Sequence, residues 1–293
     1  MSVWTGVVVA STLPFTSDLS VDYDTYQDHL RFLAEHGVDG VVPNGSLGEY
    51  QTLTADERAR VVEAAVEAAP EGFSVVPGVG AYGARESLHW AEQARDAGAH
   101  AVLALPPNAY RANHDEVVDH YCTIAQAGLP IVAYNNPFDT NVDLTPELLA
   151  RLAEIPEVVA VKEFSGDIRR ITAIQRLAPR LDVLAGADDV VFEATLLGAV
   201  GWTGGFSNAM PEIAGRLYRY GLEGDLENGR ALLKLVQPAF RWDTEHVFVQ
   251  AIKLAQEVAG RWGGPSRAPR HPLDEATRAQ VVADVELALT ASA

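Results

Sequence analysis

A lysine stands in the middle of the apolar, strand-like run VVAVKEFSGD at residues 158–167. The chain has only three lysines, Lys162, Lys234 and Lys253, and of these only Lys162 lies in such a run. Burial disfavours an ammonium ion, so a lysine in this position is expected to have a lowered pKa and more free amine at neutral pH. A free amine attacks carbonyl or imine carbons and forms a Schiff base, which withdraws electrons without a metal ion. The alternative is a lysine that snorkels to solvent or pairs with Glu163.

Two further groups fit the same chemistry. Tyr134 belongs to the preceding run, LPIVAYNNP at residues 129–137, and its phenol could carry protons to and from an adduct on Lys162. Ser46, together with the backbone amides around Gly45–Gly48, would form a small set of donors suited to a carboxylate. The pattern therefore predicts a site for a small acid that also carries a carbonyl or an imine.

Other candidate substrate-binding residues follow strand-like runs in the same way. These are Gly45, Leu47, Asn136, Asp188, Gly204 and Ser207. In a barrel of parallel strands the carboxyl ends of the strands form one face, and that face carries the active site.

The elements that must position these residues are short β-branched runs that alternate with longer amphipathic segments. Eight such runs lie at residues 6–11, 38–45, 73–80, 99–107, 129–137, 158–166, 181–189 and 199–208. They are apolar on both faces, which is typical of parallel strands covered by helices. Eight consecutive units of this size predict an α/β fold, a (β/α)8 TIM barrel, in preference to an open doubly wound sheet.

The helices are predicted from periodicity and from capping residues. They include residues 20–36, 54–69, 84–97, 115–127 and 145–155, and then 225–240 and 245–261. The strand pattern ends near Gly224, so we expect a barrel over residues 1–224 and a C-terminal helical extension over 225–293. With no long linker between them, both parts are expected to pack as a single structural unit.

Composition restricts the possible partners. A formal net charge of −18 and a pI near 4.7 leave no basic face for nucleic acid or an anionic membrane. Cys122 is the single cysteine, which excludes an internal disulfide and any metal cluster built on cysteines. The first residues lack the layout of a signal peptide, and no apolar run approaches the length of a spanning helix. We therefore expect a cytoplasmic protein.

The stretch GVGAYG at residues 78–83 matches the G-x-G-x-x-G pattern of dinucleotide-binding proteins. That fingerprint also requires an acidic residue at the end of the next strand, and the run at 99–107 has none. The glycines are more simply explained by a close approach of backbones at the mouth of a barrel.

Three motifs resemble the dihydrodipicolinate synthase and N-acetylneuraminate lyase superfamily: GSLGE at 45–49, YNNP at 134–137 and VKEFSGD at 161–167. The resemblance spans nearly the whole chain and implies a (β/α)8 barrel with a C-terminal helical extension, usually assembled as a homotetramer, with a homodimer as the smaller assembly. It further implies that Lys162 forms the Schiff base, that Tyr134 is the proton shuttle, and that Ser46 and the Leu47 amide bind the carboxylate of a 2-oxo acid. No metal or separate cofactor is then needed.

Departures from the family pattern argue against the synthase itself. Leu47 replaces the threonine that relays protons in the synthase, and Asp139 replaces an arginine that holds the second substrate's carboxylate. The tyrosine that the synthase contributes across a subunit contact aligns near Ala109, and Tyr110 is one position away.

The finer pattern is similar to the branch that contains 1-pyrroline-4-hydroxy-2-carboxylate deaminase, an enzyme of hydroxyproline breakdown. Its substrate is a small 2-imino acid. Two other enzymes would use the same residues, a 2-keto-3-deoxy sugar acid aldolase that releases pyruvate and a sugar acid dehydratase. A catalytically silent protein that binds a 2-oxo acid is the alternative outside enzymes, because a fold does not dictate a function.

Overall fold

A computed structural model describes residues 2–292 of the chain. Its strands are β1 (Gly6–Ala10), β2 (Gly40–Val42), β3 (Ser74–Val75), β4 (Val102–Ala104), β5 (Ile131–Asn135), β6 (Val158–Glu163), β7 (Asp182–Ala185) and β8 (Gly201–Trp202). Each lies inside one of the eight predicted runs. Several are shorter than the run that predicted them, because only part of each run pairs with a neighbour.

Helices follow the strands in alternation and then continue alone. They are α1 (Tyr23–Glu35), α2 (Ala55–Ala68), α3 (Ala84–Ala97), α4 (His114–Ala125), α5 (Pro137–Thr140), α6 (Pro146–Leu152), α7 (Arg169–Leu177), α8 (Val191–Leu196), α9 (Pro211–Glu223), α10 (Leu226–Phe240), α11 (Phe248–Val258) and α12 (Glu275–Leu289). Short 3-10 turns include Tyr50–Thr52, Asp188–Val190, Phe206–Asn208 and Arg241–Thr244.

All eight strands are parallel and form one sheet in the order β3-β2-β1-β8-β7-β6-β5-β4. The first and last strands pair, with Gly6 opposite Gly201. An isolated parallel bridge between Gly78 and Leu103 joins the two ends of this order. The sheet therefore curls into a TIM-barrel-like α/β fold surrounded by helices, as the alternation of runs predicted.

Local sequence explains where the helices begin. Thr54 accepts a hydrogen bond from the Glu57 backbone while the Glu57 side chain caps Thr54 in return, and Asn113 and Glu116 repeat this capping box. Such boxes satisfy backbone donors that have no partner within the helix. The predicted bounds of α2 and α3 agree with the structure to within one residue, whereas α1, α6 and α11 are shorter than predicted.

The sheet has an inner and an outer apolar layer, because successive side chains on a strand point to opposite faces. One buried cluster on a single face of the sheet contains Val8, Val42, Val76, Ala101, Leu103, Val132, Tyr134, Ala160 and Leu184. A much larger buried cluster packs the other face against the helices. Lys162 pairs in register with Leu184 and Tyr134, so it belongs to the same inner layer.

After β8 the chain is helical, as the loss of strand pattern predicted. Phe240, at the end of α10, is fully buried and lies 5.7 Å from Trp202 and 5.8 Å from Phe206 between ring centroids. The helices that follow the strands thus pack directly on the end of β8. Across residues 2–292, no helix is both long enough and apolar enough to cross a membrane.

The glycine-rich stretch at 78–83 serves packing in this fold. A side chain at Gly78 would overlap the carbonyl oxygen of Asn44. The carbonyl oxygens of Gly78 and Gly80 accept hydrogen bonds from Arg58 Nη2 at 3.2 and 3.0 Å. This is the close backbone approach that the sequence predicted.

Candidate active site

Lys162 lies on β6 and points into the barrel, with only 5% of its surface exposed. Its amine nitrogen is 4.3 Å from the centre of the Tyr134 ring and 5.6 Å from that of Phe164. Burial lowers the pKa of Lys162 to about 8, and the carboxyl groups of Asp243 and Asp188 oppose this shift. The lowered pKa therefore leaves a larger fraction of free amine near neutral pH than an ordinary lysine has.

Glu163 is not the partner of Lys162. Its carboxylate accepts hydrogen bonds from Asn135 Nδ2 at 2.9 Å and from the Ser165 backbone at 2.6 Å, on the opposite face of the strand. Arg170 Nη1 lies 4.0 Å from the same carboxylate. The alternative in which Glu163 neutralises the lysine is therefore wrong for this fold, and the amine remains available to the cavity.

Tyr134 sits directly beside Lys162, because the two residues are register partners in the β5–β6 pair. Its hydroxyl oxygen accepts a hydrogen bond from Asn136 Nδ2 at 3.2 Å. The same amide donates to Asp139 Oδ2 at 2.8 Å, which connects the phenol to the rim of the cavity. Burial, followed by the nearby Asp243 carboxyl, raises the pKa of Tyr134, so the group stays a protonated phenol.

The loop after β2 brings Gly45, Ser46 and Leu47 to the cavity. Gly45 and Ser46 are half-buried, whereas Leu47 is 3% exposed. The turn is closed by a hydrogen bond from the Glu49 backbone to the Ser46 carbonyl at 3.1 Å. Glu49 itself has a positive φ of 54°, an unusual conformation for a residue with a side chain.

The Glu49 side chain explains how this conformation is held. It is fully buried and pairs with Lys253 Nζ of α11 at 2.7 Å. Its other oxygen accepts the Arg267 backbone N–H at 3.0 Å and lies 3.8 Å from Arg270 Nη1. The loop that carries Ser46 and Leu47 is thus clamped by the C-terminal part of the chain.

The loop after β8 is held by Asp188. This carboxylate is fully buried and accepts hydrogen bonds from Trp202 Nε1 at 2.9 Å and from the Gly205 and Phe206 backbones at 3.1 and 2.7 Å. Burial raises the pKa of Asp188 to about 6, although these donors oppose the shift. A side chain at Gly204 would overlap the Asp188 carboxylate and the Trp202 indole. Asp188 therefore shapes this loop rather than facing the cavity.

A cavity of about 1050 Å³ opens at the carboxyl ends of the strands. The sequence-predicted residues that line it are Gly45, Ser46, Leu47, Tyr134, Asn136, Lys162 and Gly204. Three others do not reach it: Asp188 and Ser207 are fully buried behind its wall, and Tyr110 is 50% exposed outside it. The structure therefore does not place these three residues where they would contact a substrate in the cavity.

Several lining residues were not predicted. Asp243, in the turn between α10 and α11, lines the cavity and is 8% exposed. Arg58 also lines it, and its guanidinium stacks on the rings of Tyr50 and Trp90 at 5.0 and 4.3 Å. Neither residue follows a strand, so the residues at the strand ends gave no signal for them.

The fold and the site together define a class: a TIM-barrel-like protein whose strand ends enclose a buried amine beside a phenol. Comparison with known proteins narrows this class. The dihydrodipicolinate synthetase family matches residues 3–288. The chain belongs to this family, whose members are class I lyases that form a Schiff base on a lysine. The family resemblance seen in the motifs is thereby confirmed, and the deaminase branch stays a prediction.

Individual relatives agree with this assignment. The chain is 34% identical to a 4-hydroxy-tetrahydrodipicolinate synthase of Methanosphaerula palustris, over 92% of this chain and 94% of that protein. It is also 34% identical to an uncharacterized DapA-like lyase of Halobacterium salinarum, over 96% and 92%.

Solved structures are similar over the whole fold. A dihydrodipicolinate synthase from Agrobacterium tumefaciens has a TM-score of 0.90 at 28% identity and covers 98% of both chains. A prophage protein of the same family from E. coli K12, solved in complex with pyruvate, has a TM-score of 0.88 at 27% identity and covers 97% of this chain and 99% of its own.

Proposed function

We propose that this lyase acts on a small 2-oxo or 2-imino acid, and specifically that it is a 1-pyrroline-4-hydroxy-2-carboxylate deaminase. The observation that carries the proposal is the Lys162 amine, which is buried, has a pKa lowered to about 8, and faces a cavity beside Tyr134. Such an amine is a nucleophile for the C2 carbon of a cyclic imine. Ser46 and the Leu47 amide are the proposed donors to the substrate carboxylate, with Gly45 and Asn136 beside them.

The reaction can be written so that atoms balance. Lys162 adds to C2, the C2–N1 bond breaks, and the ring nitrogen leaves as a primary amine still attached to C5. The Schiff base acidifies C3, whose proton is removed, and the hydroxyl on C4 departs as water. Tautomerisation moves the unsaturation to C5, and two waters hydrolyse the two imines. One substrate and one net water give 2,5-dioxopentanoate and ammonia, and the free amine returns.

Within this scheme Tyr134 is the proposed proton shuttle. A phenol that stays protonated can give a proton to the departing ring nitrogen and accept one from the attacking amine. The protonated Schiff base withdraws electrons from C3, so we propose that the reaction requires neither a metal ion nor another cofactor.

Two residues argue against the synthase reaction of the named relatives. Leu47 has no hydroxyl for a proton relay, and it forms an apolar part of the cavity wall. Asp139 lines the cavity as an exposed carboxylate where the synthase pattern has an arginine, and a carboxylate repels a second carboxylate-bearing substrate.

A second candidate is a 2-keto-3-deoxy sugar acid aldolase or dehydratase. The cavity volume of about 1050 Å³ favours it, since a five-membered ring would leave much of that space empty. A catalytically silent 2-oxo acid binding protein would not need both Lys162 and Tyr134 beside one another. The reaction products distinguish these candidate activities. An aldolase gives pyruvate and an aldehyde, whereas a dehydratase keeps every carbon and releases no ammonia.

The test is trapping of the adduct with borohydride. Wild-type protein is incubated with 1-pyrroline-4-hydroxy-2-carboxylate or with pyruvate, reduced, weighed intact and mapped, while ammonia is assayed in parallel. An adduct on Lys162 with ammonia release from the pyrroline supports the deaminase. The Lys162→Met variant should lose the adduct, and Lys234→Met, at an exposed position of α10, should keep it. A pyruvate adduct without ammonia moves the assignment to an aldolase or dehydratase, and no adduct overturns the Schiff-base mechanism.

We further propose that the chain assembles as a homodimer or homotetramer in the cytoplasm. Exposed aromatic side chains include Tyr82 at 78% and Phe138 at 72%, which line the cavity, and Tyr110 at 50%, which lies outside it. Exposed aromatic groups of this kind are enriched at subunit contacts, and one from a neighbour could complete the cavity. Sedimentation velocity of the wild type and of Phe138→Ser tests this, since a monomeric wild type would contradict it.

The C-terminal helices and the barrel are proposed to form one structural unit. The buried Lys253–Glu49 pair and the contact of Phe240 with Trp202 support this view. A single cooperative unfolding transition, observed by two independent probes, is the expected result.

A further inference from the structure

Asp243 brings a carboxyl group into the cavity from outside the barrel strands. It lies in the turn Arg241–Thr244, between α10 and α11, and is 8% exposed. The Asp188 backbone N–H donates to its Oδ2 at 3.4 Å. Its Oδ1 lies 3.0 Å from the point where a side chain at residue 205 would begin, and it accepts no hydrogen bond from any residue that the structure describes. One oxygen of a nearly buried carboxyl is therefore free at the cavity wall.

The groups that face Asp243 explain the shift in the pKa of its carboxyl group. Lys162 comes from β6, Tyr134 from β5, and Asp188 and Asp189 from the turn after β7. Burial, and then the Asp188 carboxyl, raise the pKa of Asp243 well above its usual range, while Lys162 opposes the shift. Burial and Asp188 thus both favour the protonated form of this carboxyl group, which interacts electrostatically with the Lys162 amine.

The two other buried acids near Lys162, Asp188 and Glu163, are not free to give a proton to a ligand. Both oxygens of Asp188 accept backbone or indole donors behind the wall. Glu163 faces the opposite side of β6, where Asn135 and Ser165 hold it. Among these three buried acids, Asp243 is the one that lines the cavity and has an oxygen that accepts no hydrogen bond, and its pKa is raised well above the usual range.

We propose that Asp243 is the general acid that protonates the hydroxyl leaving from C4 of the substrate. The C4–O bond breaks with its electron pair on oxygen, the oxygen takes the Asp243 proton, and water departs. The electron pair released by loss of the C3 proton forms the new C3–C4 double bond by way of the enamine. Asp243 is left as a carboxylate and recovers a proton from the water that later hydrolyses the imine. This inference rests on the proposed deaminase function, because it needs a substrate with a leaving hydroxyl.

The test distinguishes loss of the C4 hydroxyl from the two earlier steps, formation of the adduct on Lys162 and removal of the C3 proton. Wild type, Asp243→Asn and Asp243→Glu are compared with Asp225→Asn, a matched change at the N-terminal cap of α10 and outside the cavity. Three quantities are measured for each: the borohydride-trapped adduct on Lys162, exchange of the substrate C3 protons in deuterium oxide, and release of ammonia.

The expected result is specific to a general acid. Asp243→Asn keeps the adduct and the C3 exchange but loses ammonia release by about 10²- to 10⁴-fold, the usual contribution of a positioned acid. Asp243→Glu, which restores an acid, recovers part of the rate, and Asp225→Asn behaves as wild type. Replacing a group that merely supports the fold would not lower ammonia release while leaving the C3 proton exchange unchanged.

Any one of four results would overturn the inference. Ammonia release by Asp243→Asn at the wild-type rate removes the role of Asp243 but leaves the deaminase intact. Equal loss of adduct, exchange and ammonia shows that Asp243 acts on Lys162 instead of on the leaving group. A wild-type enzyme that forms the adduct yet releases no ammonia removes the deaminase function itself, and this role with it. If Asp243→Asn fails to fold, an Asp243→Glu variant that folds without recovering elimination also decides against the inference.

Discussion

Tyr134 and Lys162 are direct partners across β5 and β6, and the lysine amine lies 4.3 Å from the centre of the tyrosine ring. This neighbour relation is a property of strand register, because parallel strands place paired residues at one level of the barrel. Burial lowers the pKa of Lys162 and raises the pKa of Tyr134. Both shifts favour the neutral group, an amine at Lys162 and a phenol at Tyr134. Burial therefore stabilises the neutral form of both members of the pair.

Activity should follow the titration of Lys162. Below its pKa of about 8 the amine is an ammonium ion and cannot attack, so kcat/KM is expected to rise with pH and level off above that value. Tyr134 stays protonated throughout this range, because its pKa is raised. The measurement is the pH profile of kcat/KM, with the rate of adduct formation from pyruvate as an independent readout of the same group. An acid limb near the ordinary lysine value of 10.5 would contradict a buried amine.

Gly204→Ala should destabilise the protein by about 3 kcal/mol, because the added methyl group would overlap the Asp188 carboxylate and the Trp202 indole. The matched control is Gly215→Ala in the middle of α9, where nothing lies within 4 Å of the added methyl group. That change should be neutral or stabilise by up to about 1 kcal/mol, since alanine is the better helix former. Urea unfolding of both variants gives the comparison, and equal midpoints would show that the loop after β8 yields easily.

Lys253→Met should cost about 3 to 5 kcal/mol, because it leaves the fully buried Glu49 carboxylate without its main partner. Adding Glu49→Gln to the same chain should recover much of this loss, as it removes the unpaired charge. Lys234→Met, at an exposed position, is expected to change stability by less than about 0.5 kcal/mol. The free energy of unfolding in urea is the measurement. A single variant as stable as wild type would mean that Arg267 and Arg270 hold Glu49 on their own.

Leu47→Thr should lower kcat/KM for the pyrroline substrate by roughly tenfold, because it exchanges an apolar contact with a compact ring for a hydroxyl. The residue is 3% exposed and lines the cavity, so the substitution alters the surface that a bound substrate would contact. Leu47→Val keeps the apolar character and serves as the control. Unchanged deaminase kinetics in Leu47→Thr would undercut the role given to this side chain.

Much of the fold could be predicted because patterns of burial repeat along the chain. Each strand lies within a predicted apolar run, and the pairing of Tyr134 with Lys162 follows from the alignment of two such runs. The helix bounds were most accurate where capping residues marked them, as at Thr54 for α2. Strand β3 is only two residues long, since its run leaves the ladder after Val75 and pairs again only in a single bridge between Gly78 and Leu103.

The site was predicted less completely, for a physical reason. On a strand the direction of a side chain follows from alternation, so Lys162 and Tyr134 could be placed inside the barrel. In a loop the direction depends on contacts made after folding, and Asp188 turned toward the donors of the β8 loop instead of toward the cavity. Asp243 is further removed, because it enters the cavity from a turn 55 residues beyond Asp188.

The residues that complete the cavity come late in the order of synthesis. Asp243 supplies part of its wall, and Lys253 and Arg267 clamp the loop at Glu49, yet all three follow the last strand of the barrel. A ribosome adds about 5 to 20 residues per second, so the nascent chain carries its reactive lysine for some seconds before these groups emerge. The cavity wall and the clamp on Glu49 are therefore incomplete until residues well beyond the last strand have been synthesised.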